Sequence, residues 1–385
     1  MTKGYIPYGR HVIDEDDIAA VAAVLSGDWL TTGPTVGAFE AAFAEYVGAT
    51  HAVAAANGTA ALHLCMLAAG IGPGDEVIVP ALTFAASANC ARYVGATIVF
   101  CDVRPDSLTI DPVHLRKLIT PRTKAIVAVD YAGLPCDLDE LLEIATAHKL
   151  LLVEDACHAV GAVYRGRRVG SIAHLSAFSL HPVKHMTSGE GGVVTTNNEA
   201  FAARVRLMRN HGITTDHRER ERLATWSYDM VELGYNYRLT DLQCALGLSQ
   251  LKKMSASLVR RRQIAARYRS ELSRMPALTL PDVPTDREHA WHLYPVRLQG
   301  ANCEERRRRL FEALRVAGIG VNVHYLPVYL HTYYKSLGYP SGLCPVAERA
   351  YQGLLSLPMW AGLSDDDQAR VICSLSTALD RVDAT

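Results

Sequence analysis

Between about residues 50 and 200, short apolar runs bounded by turn residues alternate with stretches of helical period. Runs that are apolar at nearly every position suit strands covered on both faces, and their alternation with helices reads as a parallel sheet with crossover helices. The pattern predicts strands at His51 to Ala56, Glu76 to Val79, Thr97 to Val103, Ala125 to Asp130, Leu150 to Glu154, Ser176 to Leu180 and Gly192 to Thr195. The class is α/β, with a mostly parallel seven-stranded sheet.

From about Thr240 to Leu272 the pattern changes to one long helix-rich stretch, with Leu242, Leu246, Leu248 and Leu251 on an apolar side and Arg260-Arg261-Arg262 farther along. A polar stretch around Pro281 to Arg287 follows. An alternating segment (Trp291 to Leu298), a charged helix (Glu304 to Ala317) and a second strand (Gly320 to Tyr325) then predict a smaller α+β C-terminal domain. The expected division is 1–250 for an N-terminal segment with the large domain and 251–385 for a linking helix with the small one.

Composition narrows the function classes. Hydrophobic residues are 49 % and charged residues 21 %, a globular makeup rather than a disordered one. The 39 Lys and Arg nearly balance the 40 Asp and Glu, so a net charge of −1 provides no broad field for nucleic acid or an anionic membrane. The tract Glu304-Glu305-Arg306-Arg307-Arg308-Arg309 runs into Leu310 and Leu314 and fits a solvated amphipathic helix better than a nucleic-acid patch. The nine cysteines are scattered, without the close spacing of a zinc site or redox pair, and read as reduced thiols with no metal. No signal-like start and no apolar run of about 18 residues appears, so the expected location is cytoplasmic.

Leu151-Leu152-Val153-Glu154-Asp155 is an apolar strand delivering acid at its carboxyl end, the edge where open α/β sheets bind ligands. Twenty-nine residues after Asp155, Lys184 follows another strand and precedes the glycine-rich Ser188-Gly189-Glu190-Gly191-Gly192. A lysine can form a Schiff base with an aldehyde, and a buried carboxylate keeps a pyridinium nitrogen protonated, so this pair matches pyridoxal 5'-phosphate. Asn57-Gly58-Thr59-Ala60 opens a helix straight after a strand, where free N–H groups and the helix dipole favour a phosphate, and Ser179 adds a hydroxyl. Each signal alone also fits an ordinary cap or a surface lysine; their combination points to one cofactor site.

With Asn57-Gly58-Thr59, Thr83-Phe84, Ala88-Asn89, Glu154 to Ala159, Ser179 to Lys184 and Gly234-Tyr235-Asn236-Tyr237-Arg238 in this order, nearly the whole chain resembles the DegT/DnrJ/EryC1/StrS sugar aminotransferases. Ile6 to Arg10, Ala290 to Pro295 and Gly320 to Tyr329 resemble the branch that aminates C4 of UDP-linked 4-keto-6-deoxy-N-acetylhexosamines in the pseudaminic acid pathway. That branch usually has Ser-Ala-Thr-Ser at the phosphate turn, and here the turn is Asn57-Gly58-Thr59-Ala60, which leaves the sugar open.

The resemblance implies the aspartate-aminotransferase-like fold type I of PLP-dependent transferases, acting as a homodimer with shared active sites. It implies Lys184 as the cofactor-linked general base, Asp155 against the pyridinium nitrogen, Phe84 stacked on the ring and His158 beside the ring and its 3-oxygen. Gly58, Thr59 and Ser179, with Asn236 from the partner subunit, would hold the phosphate. Tyr8, Asp28, Trp29, Leu30, Thr31, Asn322, Val323, His324 and Tyr325 would meet the nucleotide-sugar, and Arg238 the donor carboxylate. The donor is expected to be glutamate, with the cofactor cycling through pyridoxamine phosphate. A lysine-free dehydratase of the same fold carries histidine at the cofactor-linking position, and Lys184 separates this chain from it. A non-catalytic PLP-binding sensor is the reading from a different class; here every catalytic position is filled.

Overall fold

In the computed structural model, which describes residues 4–215 and 217–383, the seven expected strands form and join one sheet. They are β1 (His51–Ala55), β2 (Glu76–Pro80), β3 (Thr97–Cys101), β4 (Thr123–Val129), β5 (Leu151–Asp155), β6 (Leu175–Ser179) and β7 (Gly192–Thr196). Their order is β1-β7-β6-β5-β4-β2-β3, and β7 runs antiparallel to both its neighbours. No helix separates β6 from β7, and a loop without a crossover can only return the chain antiparallel. Strands β2, β6 and β7 are buried at every position, as continuous apolar runs require.

The first four helices are α1 (Glu15–Leu25), α2 (Pro34–Val47), α3 (Gly58–Ala68) and α4 (Ala86–Tyr93), of which α3 and α4 line the site. The Asp14 carboxylate caps α1 in a reciprocal box with Asp17, and Asn57 caps α3 by accepting the Ala60 N–H at 2.8 Å.

The expected long helix is two, Asp241–Lys252 and Met254–Leu272, with the turn tightened where the Lys253 N–H donates to the Gln250 carbonyl. Of its leucine stripe only Leu251 is buried. Cys244, Ala245, Gly247 and Leu251 are buried and Leu242, Leu246 and Leu248 only half-buried. Small residues let this helix lie close to α2: a Cβ at Gly247 would stand 3.0 Å from the Phe39 ring. Buried Asp241 fastens the same contact, accepting the N–H groups of Gly33 at 2.7 Å and Thr35 at 2.9 Å.

The smaller unit carries a three-stranded antiparallel sheet of Leu278–Thr279, Tyr294–Leu298 and Leu354–Leu357, with helices Cys303–Val316 and Asp365–Asp383. Leu310 and Leu314 of the charged helix are buried, which makes it the amphipathic helix its pattern indicates. Ile6 packs into this unit's core, whereas Val328, Tyr329 and Tyr334 pack into the core of the large sheet. Buried Arg261 ties the long helix to the smaller unit by donating to the carbonyls of Trp291 at 2.9 Å and Met359 at 3.3 Å.

Gly320 to Tyr325 is not a strand. Pairing stops after single bridges, Ile319 with Ile6 and Asn322 with Ser356, because the Asn322 carboxamide turns back to accept the Val323 N–H at 2.8 Å. The His324–Tyr325 peptide is cis. Among the described residues, no helix is long and apolar enough to cross a membrane, and no group of three or more His, Cys, Asp or Glu could hold a metal ion.

Candidate active site

The carboxyl ends of β4, β5 and β6 open into a cavity of about 1030 Å³, walled on the far side by Asn322 to Leu326. Asp155 ends β5 and is 6 % exposed. Its Oδ2 accepts the Ser87 hydroxyl at 2.5 Å, and its Oδ1 accepts the Cys157 N–H at 3.2 Å. The Thr83 hydroxyl lies 2.7 Å from Ser87 Oγ. With the Ser87 proton committed to Asp155, Thr83 must donate to Ser87, giving a relay of two hydroxyls into the carboxylate.

Lys184 lies in the turn after β6, its N–H donating to the His181 carbonyl at 2.9 Å, and its amine lines the cavity. Burial pushes that amine below the usual lysine range, against the opposing pull of the Cys157 thiol and Asp155. A lysine so placed yields its free base more readily.

His158, 5 % exposed, places Nε2 3.2 Å from the Tyr325 hydroxyl and its ring 4.4 Å from that of His292. Burial, with the charge of Lys184, holds this imidazole well below its ordinary range, and burial raises the Tyr325 phenol. With the phenol donating to Nε2, the neutral ring carries its proton on Nδ1, which is buried and has no partner among the described residues.

At the sheet edge, Ala61 takes the Asn57 carbonyl and Ala60 its carboxamide, so the N–H groups of Gly58 and Thr59 remain open at the positive end of α3. Only glycine fits position 58: a Cβ would stand 2.8 Å from Ser179 Cβ and 3.2 Å from both Ser179 Oγ and Cys157 Sγ. The result is an anion cradle, with Ser179 Oγ beside the open amides.

Opposite, Phe84 is 57 % exposed, its ring 6.0 Å from that of Tyr325. His324 is fixed from three sides: Nδ1 is 2.9 Å from Ser356 Oγ, its carbonyl accepts the Tyr131 hydroxyl at 2.5 Å, and its ring is 5.5 Å from Tyr8. Burial and the charge of Lys184 push its pKa down to about 4.

Residues 11–376 match the DegT/DnrJ/EryC1/StrS aminotransferase family. This chain belongs to that family. The aminotransferase is 42 % identical to the spore coat polysaccharide biosynthesis protein SpsC of Bacillus subtilis over 371 residues, 96 % of this chain and 95 % of that one. Spr1654 from Streptococcus pneumoniae, solved in PMP and PLP forms, superposes in its PMP form with a TM-score of 0.93 at 34 % identity, covering 98 % of this chain and 100 % of that one. Helicobacter pylori PseC, an aminotransferase in the biosynthesis of pseudoaminic acid, superposes with a TM-score of 0.91 at 31 % identity and the same coverage. The fold is thus the fold type I expected from the sequence.

Of the residues singled out in the sequence, Tyr8, Gly58, Thr59, Phe84, Asp155, His158, Ser179, Lys184 and Asn322 to Tyr325 meet in this one cavity. Others lie outside the cavity of their own chain. Asn236 is exposed and bridges Asn210, and Arg238 donates to Asn210 Oδ1 at 2.6 Å. Asp28 to Thr31 are not in that lining: Thr31 bridges Thr240 and the Leu30 carbonyl accepts the Asp241 N–H at 3.1 Å, at the start of the Asp241–Lys252 helix. Sequence reasoning missed Ser87 and His292, which touch Asp155 and His158; Ser87 sits in the first turn of α4, three residues after Phe84, between the Thr83-Phe84 and Ala88-Asn89 pairs.

These residues fit pyridoxal phosphate. The open amides of α3 suit a phosphate, Asp155 a protonated ring nitrogen, and Lys184 an aldehyde carbon, with His158 in the same lining.

Proposed function

We propose that this protein is a pyridoxal-phosphate aminotransferase that moves an amino group from an amino acid, L-glutamate, to C4 of a UDP-linked 4-keto-6-deoxy-N-acetylhexosamine. The observation that carries the reading is Lys184 and Asp155 in one cavity with the glycine-floored anion cradle of α3.

Bound pyridoxal phosphate supplies an aldehyde that links to amines and a ring that takes up the electron pair left when a donor loses its α-proton. Gly58, Thr59 and Ser179 would hold the phosphate, Asp155 would keep the ring nitrogen protonated, and Phe84 would pack against the ring. Lys184, its amine pushed below the usual lysine range by burial, would be the base that accepts the donor's α-proton and holds it for return. The 2-oxo acid leaves before the keto-sugar enters, so one lysine serves both halves of a ping-pong cycle in opposite directions. His158 orients the 3-oxygen, and Tyr8 with Asn322 to Tyr325 forms the wall that positions the sugar.

The protein works as a homodimer. Exposed apolar side chains between residues 226 and 233 support this: Trp226 is 90 % exposed, Leu233 77 %, Val231 57 % and Met230 56 %. They adjoin Asn236 and Arg238, which reach the partner's cavity in this reading, Asn236 to the phosphate and Arg238 to the donor carboxylate.

The choice of acceptor rests on Ile6 to Arg10, Ala290 to Pro295 and Gly320 to Tyr329. The Asn57-Gly58-Thr59-Ala60 turn favours a second reading, another nucleotide-linked keto-sugar. Absorbance of the holoenzyme decides. A cofactor band lost with L-glutamate and restored by UDP-linked 4-keto-6-deoxy-N-acetylhexosamine establishes both half-reactions. Loss without restoration selects the second reading, and no band even after adding pyridoxal phosphate rejects an aminotransferase.

A further inference from the structure

Behind Asp155, on the opposite face of the sheet, two carboxyl groups are fully buried where the cavity chemistry makes no use of them. Glu154 precedes Asp155 on β5, and Asp130 follows β4; both are 0 % exposed. Alternate residues of a strand face opposite sides, so Glu154 points away from the cavity that Asp155 faces. Glu154 Oε2 accepts the Ser176 hydroxyl at 2.7 Å and the Gly170 N–H at 3.1 Å, and Asp130 Oδ1 accepts the Cys136 N–H at 2.9 Å. The remaining oxygens, Glu154 Oε1 and Asp130 Oδ2, are both buried and find no donor, although the two side chains are within hydrogen-bonding reach of each other.

Two ionised carboxylates offer only acceptors, so these two oxygens cannot satisfy each other unless one carries a proton. We infer that Asp130 and Glu154 share one proton, Asp130 donating it to Glu154, and that the pair sets one negative charge behind Asp155 and so favours a cation on the cavity side. Glu154 is the anion because it has two other donors and Asp130 has one backbone donor. Burial raises both carboxyls, Asp130 well above the usual range, in keeping with this order. The titratable groups facing the pair are Asp155 on β5 and Cys136 beyond β4; farther out, Asp137 is ion-paired with Arg287 at 2.7 Å and Arg104 at 3.6 Å.

A buried negative charge here favours a positive charge on the cavity side of β5, and a protonated ring nitrogen is such a charge. Asp130 and Glu154 thus act through Asp155 as positioning residues. The effect on the cofactor rests on the aminotransferase reading; the proton sharing does not.

Infrared spectroscopy of the holoenzyme labelled with 13C at Asp and Glu carboxyls tests the sharing directly. A protonated-carboxyl C=O band should persist through neutral pH in the wild-type protein and vanish in Asp130→Asn. Its absence from the wild-type protein at neutral pH overturns the inference, whatever the variants do. The second arm titrates the visible band of the bound cofactor with pH. Asp130→Asn keeps the charge on Glu154 and should leave the midpoint in place. The double variant Asp130→Asn with Glu154→Gln removes the charge, and the cationic form of the cofactor should then lose its proton about one pH unit lower. An infrared band together with an unmoved midpoint in a folded double variant would retain the shared proton and reject its role toward the cofactor. Should the double variant not fold, the infrared comparison of wild type with Asp130→Asn still decides the sharing.

Discussion

Ser87 on α4 donates its hydroxyl proton to Asp155 at the end of β5 across 2.5 Å, with both residues buried. A neutral donor on a buried carboxylate contributes about 1.5–3 kcal/mol, and only the Cys157 N–H would remain on Asp155 without it. Ser87→Ala should therefore reduce kcat/KM by about ten- to a hundredfold and weaken cofactor retention, with the circular dichroism of the fold preserved. Unchanged kinetics and unchanged cofactor affinity would show that the hydroxyl relay plays no part.

Lys184→Arg keeps a cation in the cavity and removes the amine that can bond an aldehyde and accept a proton. Turnover should fall by at least about a hundred- to ten-thousandfold, the scale of general acid–base catalysis, and the cofactor should become removable by dialysis. Near-normal activity in this variant would refute the assignment of Lys184.

Acidification should destabilise the fold through its buried imidazoles. Burial lowers His63 and His324 to about 4 and His289 to about 3, and holds His158, His185 and His292 well below 6.5. In the window between these values and about 6.5 the unfolded chain binds more protons than the folded one, so stability is full above about pH 6.5 and is lost as pH falls. Each such histidine costs about 1 kcal/mol per pH unit below that point. Thermal denaturation between pH 7 and pH 5 should show a falling midpoint. His289, whose Nδ1 accepts the Trp291 N–H at 2.8 Å, can be replaced with Gln to flatten the slope. A midpoint that stays level on acidification would contradict the neutral, buried state of these rings.

Leu233→Asp places a charge in the exposed apolar stretch. Sedimentation should then report monomer where the wild-type protein reports dimer, and activity should fall because Asn236 no longer reaches a partner's phosphate. A variant that remains dimeric and active would remove that stretch from the interface and, with it, the proposed path of Asn236 and Arg238 between subunits.

Much of this molecule was legible before any coordinates. Apolar runs of strand length located all seven strands within a residue or two, since a strand covered on both faces needs an unbroken apolar run. Asp155 and Lys184 were legible for a related reason: both are polar residues at the ends of such runs, at the sheet edge where ligands bind. The glycine at position 58 was legible as part of a turn opening a helix, but its close approach to the Ser179 side chain was not.

Tertiary structure alone decided the rest. Hydrophobic period tells which face of an element is covered and says nothing of what covers it. The leucines of Asp241–Lys252 suggested an apolar side, yet the helix buries its small residues because α2 approaches too closely for leucine. Gly320 to Tyr325 has a strand's composition, but strands exist only by pairing, and here the chain turns away after one bridge. Ser87 with Asp155, and His292 with His158, join residues 68 and 134 positions apart, and Asp130 with Glu154 joins two strands. Contacts of that separation leave no local pattern in the chain. What the sequence determined by itself was the set of strands and the chemistry at their ends; which donors surround that chemistry, and which side chains share its protons, followed from how the helices and strands pack.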